Sequence, residues 1–171
     1  AGLLAPSPDG VAAGAGIAGL PFGVASNVRE ALSGMMQSTS RPANELGNLV
    51  RKATRTLYKG RWPKVSVWHG SADRTVNPAN ADEIVKQWLD VHGLPSAPMS
   101  TADIDGYPRD VWWNADGETV VESYTITNMA HGTPLGKSGN DEQYGVAGAF
   151  MIEAGISSSY PIASFFGLTE R

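Results

Sequence analysis

The chain has 171 residues, enough for one domain with its own core. Hydrophobic residues at 42% and charged residues at 18% exclude an intrinsically disordered or collagen-like polymer. Thirteen Lys and Arg against seventeen Asp and Glu leave a net charge of −4 with no basic cluster, which argues against a nucleic-acid partner. The absence of cysteine excludes a disulfide framework, a thiolate metal site and a cysteine nucleophile.

The opening, Ala1-Gly2-Leu3-Leu4-Ala5, is apolar but carries no basic region and breaks at Pro6 and Pro8. It reads as the tail of a helix that begins upstream, not as a signal peptide. No apolar run approaches the roughly 18 residues of a membrane span.

Val11 to Ala18 is small and apolar on both faces, which predicts a buried strand of a parallel sheet. Val28 to Gln37 and Pro42 to Tyr58 carry helical patterns. In the second, Leu46, Leu49, Val50, Ala53 and Leu57 form one apolar face, and Arg51, Lys52 and Arg55 are assigned to solvent. Lys64 to Trp68 alternates like a strand and ends at His69-Gly70.

Asn77-Pro78 then supplies an N-cap with proline in the first turn. The helix that follows contains Ile84, Val85, Trp88 and Leu89 and stops near His92 at Gly93. Leu94 to Ser100 is a proline-rich connection, and Asp103 and Asp105 are read as solvated turn residues. Asp110 to Trp113 and Thr119 to Ile126 are two strands joined by the turn Asn114-Ala115-Asp116-Gly117. A Gly-rich loop from Asn128 to Gly148 precedes a final helix over Ser157 to Leu168, with Ile162, Ala163, Phe165 and Phe166 available for packing.

No repeat or composition shift divides this pattern, so residues 1–171 read as a single α/β domain with a mostly parallel, three-layer sheet. In such sheets the chemistry sits in loops beyond the carboxyl ends of the strands. Asp73, four residues past His69, is placed to orient a histidine or to cap its own turn. His131, in the loop after the strand ending at Ile126, is placed to act as a general base or to serve only as a loop residue.

His69 is expected to hydrogen-bond within its turn, and His92 to complement the helix C-terminus as a cation. A metal site from His69, Asp73 and His131 lacks any HxxxH or HxH spacing to support it. Trp68 and Trp88 are assigned to the core. Trp112 and Trp113 point to opposite faces, which leaves one of them open to exposure.

The order Asp then His fits the Ser…Asp…His order of the α/β-hydrolases, but no G-x-S-x-G elbow is present. Gly155-Ile156-Ser157-Ser158-Ser159 lies after the histidine and lacks the second glycine.

Five segments carry a resemblance. They are Ala18-Gly19-Leu20-Pro21-Phe22-Gly23, the stretch from Val67 through Trp68-His69-Gly70-Ser71-Ala72-Asp73-Arg74-Thr75-Val76 to Pro78, Met129-Ala130-His131-Gly132-Thr133-Pro134-Leu135, Glu153-Ala154-Gly155-Ile156-Ser157-Ser158 and Phe165-Phe166-Gly167-Leu168. In order and over almost the whole chain they resemble the polyhydroxybutyrate depolymerase family of α/β-hydrolase serine esterases, related to feruloyl and acetylxylan esterases.

The resemblance implies that Asp73 is the catalytic acid and His131 the catalytic base. It implies that the nucleophile elbow, the N-terminal strands and the oxyanion hole precede Ala1, so that the chain is the C-terminal part of a catalytic domain. A whole domain of this kind is on the order of 200–250 residues. Val76, just past the acid, either walls the acyl or alcohol pocket or serves packing alone. The implied substrate is a short-chain hydroxyalkanoate polyester or oligomer ester. The alternatives are a plant cell-wall feruloyl or acetyl ester, or a binding module that has lost its serine. No cofactor is implied. The implied partners are the ester substrate and the N-terminal part of the same enzyme, and the implied location is secreted or periplasmic.

Overall fold

In the computed structural model, which describes residues 3–54, 58–136 and 145–169, strand β1 (Ala13–Ile17) is followed by helices α1 (Val28–Met36) and α2 (Ala43–Ala53). Strand β2 (Lys64–Gly70) and helix α3 (Ala79–His92) come next, then strands β3 (Ser100–Ile104), β4 (Tyr107–Trp113) and β5 (Thr119–Ile126). Strands β6 (Thr133–Leu135) and β7 (Met151–Glu153) and helix α4 (Ser159–Phe166) close the chain.

Five strands form one sheet in the order β1-β2-β5-β4-β3. The β1–β2 and β2–β5 pairs are parallel, and β4 pairs antiparallel with both β5 and β3. The period of two along β2 divides its side chains between two cores. Val65 and Val67 join Ile84, Val85, Trp88 and Leu89 of α3 on one face. Trp68 joins Tyr124, Ile126 and Ile156 on the other, with Ile162 of α4 packed against them. Each fully buried residue of this size contributes about 1.5–3 kcal/mol of hydrophobic stabilisation. The sheet is therefore covered by helices on both sides, as the α/β pattern predicts.

Differences from the sequence reading have local causes. β1 is parallel as expected, but all five of its residues are only half-buried, because it pairs with β2 alone. The chain from Ser100 to Ile104 is a strand, with Asp103 inside it opposite Pro108. Asp105 and Gly106 (φ 53° and 86°) form the tight turn into β4, and the Asp-Gly pair was the signal for that hairpin. β6 and β7 lie in and beyond the presumed loop and pair in parallel as a small second sheet. Three residues apiece are too few for an alternating pattern to register.

Arg51 is not merely solvated. Its guanidinium lies 2.7 Å from Asp90 and also donates to the Asp90 carbonyl at 2.6 Å, tying α2 to α3. Leu57 and Arg55 lie outside the described residues. Asn77 caps α3 as expected, its Oδ1 accepting from Ala79 N at 3.0 Å, and Gly93 ends the helix in the left-handed conformation. His92 sits at the end of α3 as expected, but burial pushes its pKa down, against the raising effect of its bond to Pro63 O, and so disfavours the cation. Trp68, Trp88 and Trp112 are buried, and Trp113 is the exposed member of its pair.

Candidate active site

The register of β2 against β5 brings two loops together. His69 sits beside Thr125 and Gly70 beside Ile126, so both parallel strands end at one level and their loops leave on the same side. Backbone bonds then join the loops. Ser71 N donates to Ile126 O at 3.0 Å and Ala72 N to Met129 O at 3.0 Å, and Asn128 N donates to Ser71 Oγ at 2.8 Å. Asn128 adopts a left-handed conformation (φ 63°), which asparagine tolerates better than most residues. Gly70 is required by closeness: a Cβ there would lie 2.2 Å from Met129 O.

This stitching places Asp73 and His131 in contact, with His131 Nδ1 2.8 Å from Asp73 Oδ2. The Asp73 side chain is fully buried, while that of His131 is 27% exposed. Asp73 Oδ1 accepts from Thr75 N and Val76 N, each at 2.8 Å. Burial pushes the Asp73 carboxyl up. The bonds from Val76 N, His131 and Thr75 N together outweigh it and hold the group below its usual range, so Asp73 is an anion. Because Asp73 Oδ2 is an acceptor, Nδ1 of His131 carries the proton. The neutral ring then presents a bare Nε2 able to take a proton from a hydroxyl.

His131 is held from behind as well. Thr133 N donates to Phe150 O at 2.8 Å, and the Phe150 ring stands edge-on to the imidazole at 6.0 Å between centroids. A Cβ on Gly132 would meet Phe150 O at 2.8 Å, so this glycine lets the two segments close. Phe150 is 65% exposed beside the imidazole, and nothing in its sequence context marks it.

The third member of the gathering is His69, whose Nε2 lies 3.0 Å from Val76 O and 3.2 Å from Asp73 Oδ2. Its turn bond was expected from the sequence; its approach to the carboxylate was not. The spacing of four residues between His69 and Asp73 was the available signal. The Val76 side chain is buried, and its amide and carbonyl both serve this cluster. Among the described residues, no serine hydroxyl is hydrogen-bonded to His131, and no group of three or more His, Asp or Glu side chains is arranged to hold a metal ion. Ser158, in the candidate serine run, is buried and its hydroxyl donates to Pro134 O.

No family model matches the chain. It is 39% identical over 166 residues, 97% of its length, to a poly(3-hydroxyalkanoate) depolymerase C of Paucimonas lemoignei, and covers 40% of that protein. It is 33% identical over 136 residues to an acetylxylan esterase of Coprinopsis cinerea, covering 77% of this chain and 36% of that one. The chain thus spans about two fifths of the length of these curated relatives. Among solved structures, an acetyl xylan esterase from Aspergillus awamori superposes with a TM-score of 0.72 over 98% of this chain and 54% of its own, at 19% identity. A PHB depolymerase complexed with an R3HB trimer gives 0.55 over 91% of this chain and 42% of its own, at 13% identity. At those identities the two structures bear on the fold alone.

Proposed function

We propose, for a chain that belongs to the family of polyhydroxybutyrate depolymerases and acetylxylan and feruloyl esterases, that Asp73 and His131 are the acid and base of a serine carboxylic ester hydrolase. The observation that carries this reading is the 2.8 Å contact between a buried, anionic Asp73 and a partly exposed His131 at the carboxyl end of the sheet. A buried carboxylate on one ring nitrogen and an open face at the other is what a general base requires.

The nucleophile in this reading is a serine from outside these 171 residues, and residues 1–171 are the C-terminal part of the catalytic domain. The missing G-x-S-x-G elbow and the unpaired edge of β1 support it. Upstream strands of the same enzyme, on this chain or a separate one, would continue the sheet from β1.

Nε2 of His131 takes the serine proton as the oxygen attacks the ester carbonyl, and Asp73 stabilises the imidazolium that forms. Backbone amides near the elbow hold the oxyanion. The same imidazolium gives its proton to the departing alcohol, and water activated by His131 then releases the acid. Val76 would contribute to the pocket wall from behind the acid loop. The reading invokes no cofactor and places the enzyme outside the cytoplasm, secreted or periplasmic.

The substrate assigned is a hydroxyalkanoate polyester or its short oligomers, because the depolymerase of Paucimonas lemoignei is similar over 97% of the chain. Acetyl and feruloyl esters of plant cell walls are the second reading, the acetyl ester supported by the similarity to the Coprinopsis cinerea acetylxylan esterase. The complete enzyme is assayed on 3-hydroxybutyrate oligomers, acetylated xylan and a feruloyl ester. Oligomer hydrolysis that His131→Ala abolishes, with a serine labelled by a fluorophosphonate probe, is the expected result. Full activity in His131→Ala, or no labelled serine, overturns the esterase reading. Selective cleavage of acetyl or feruloyl esters overturns the substrate.

A further inference from the structure

His69 is a buried, titratable side chain that the hydrolytic steps do not use. It is 3% exposed at the end of β2, and its Nε2 faces two oxygens, Val76 O at 3.0 Å and Asp73 Oδ2 at 3.2 Å. Both are acceptors, so the proton is on Nε2. The N–H is aimed at Val76 O, with Asp73 Oδ2 at its flank. Nδ1 is buried with no hydrogen-bond partner among the described residues. A proton on Nδ1 would be stranded in the interior, an expensive placement for a polar group, so the geometry fixes the tautomer of His69.

The bond to Val76 O closes a ring of contacts around the acid. His69 holds the Val76 carbonyl, and the Val76 and Thr75 amides hold Asp73 Oδ1. His131 and the flank of His69 meet at Oδ2. Each oxygen of the carboxylate is engaged from two sides, so the plane of Asp73 is set by the loop, and the loop is tied to β2 through His69. The charged groups facing this cluster are few. Asp73 lies in its own loop and His131 in the loop after β5. Asp82 on α3 interacts electrostatically with His69, and Glu83 and Lys86 lie beside Asp82.

We propose that His69 is a positioning residue of the catalytic pair, an Nε2–H donor that clamps the Asp73 loop and so fixes the carboxylate against His131. The proposal rests on the esterase assignment for its kinetic consequences but not for its geometric ones. Leucine at 69 fills the space without a donor. The loop then loses its side-chain tie to β2 and keeps only the Asp73 N–Gly70 O bond, Asp73 stabilises the His131 imidazolium less, and the rate falls with little change in substrate binding. Glutamine carries an amide N–H at nearly the same reach as Nε2 and restores the clamp.

The experiment begins with histidine-labelled protein followed by 15N and 1H NMR, which needs no turnover. His69 is expected as the Nε2–H tautomer. The Nδ1 proton of His131 is expected far downfield in the native protein and in His69→Gln, and broadened or lost in His69→Leu. In the complete enzyme, His69→Leu should lower kcat about tenfold or more with KM little changed, and His69→Gln should stay within about threefold of native. The acid limb of kcat/KM should move to lower pH by roughly half a unit in His69→Leu and return in His69→Gln.

A His69 that carries its proton on Nδ1 overturns the proposal, and so does a His131 resonance untouched by His69→Leu. Failure of His69→Gln to restore the limb overturns it as well. Should His69→Leu not fold, the native and His69→Gln spectra decide. The esterase assignment stands or falls separately, on His131→Ala.

Discussion

Gly70 and Met129 lie so close that a Cβ on the glycine would come 2.2 Å from the methionine carbonyl oxygen. They belong to the two loops that carry Asp73 and His131, and the absence of a side chain at 70 lets those loops bond to each other. Gly70→Ala must therefore push the loops apart, with Ala130 O, 2.8 Å from the same Cβ, closing the alternative exit. Overpacking of this kind costs about 1–3 kcal/mol. The separation of Asp73 from His131 should cost roughly a hundredfold in kcat. Denaturant unfolding and steady-state kinetics on the one variant check both. Native activity in Gly70→Ala would mean that the loops need no such closeness.

Asp73→Asn tests the proposed acid directly. An asparagine amide can turn its NH2 toward Nδ1 of His131 and favour the tautomer with the proton on Nε2, where the base must be bare. The expected loss is about 10⁴ in kcat with KM nearly unchanged. The same variant has a signature in stability. The native Asp73 carboxyl is held below its usual range, so the stabilisation it gives is complete above the unfolded value near 3.8 and is lost as pH falls through the lower folded value. Thermal melts of Asp73→Asn should lack that acid-side component.

A second buried carboxylate, Glu122, lies at the centre of the sheet on β5. It accepts from Ser66 Oγ at 2.6 Å and pairs with Arg109 at 2.7 Å, and Trp68 Nε1 donates to the same Ser66 Oγ. Burial raises the Glu122 carboxyl above its usual range despite the Ser66 bond and the Arg109 charge. Between the unfolded and folded values the native state binds more protons, so this group's contribution to stability falls as pH rises through that window. Arg109→Met leaves the charge uncompensated and should cost about 3–5 kcal/mol at neutral pH. The deficit should be larger at pH 8 than at pH 5, and Glu122→Gln in the Arg109→Met background should recover much of it. A deficit independent of pH would assign Arg109 to packing alone.

His92 titrates in the opposite sense. Burial lowers its pKa beyond what the Pro63 O bond restores. As pH falls below the unfolded value of about 6.5, the unfolded chain gains a proton that the folded chain resists, and stability drops. His92→Gln, which keeps a donor for Pro63 O at 3.0 Å, should flatten the melting temperature between pH 7 and pH 5. An unchanged slope would place the pH dependence elsewhere.

The sequence by itself determined the elements whose signals are local. The apolar stripe of α2, the Asn77 and Gly93 caps of α3, the alternation of β2 and the Asn114–Gly117 turn all follow from spacing and backbone preference within a few residues. It also put Asp73 and His131 into loops at strand ends, where such residues can act. Tertiary structure alone decided that these two loops meet. The parallel register of β2 on β5 is a pairing between segments more than fifty residues apart, and no local pattern encodes it. The same register selects His131 over His92 as the partner of Asp73 and brings His69 to the other flank of its Oδ2. It makes Gly70 a point of closest approach. Local preference fixes what each segment is; which segments touch is set by burial on both faces of a sheet whose strand order the chain acquires only when it folds.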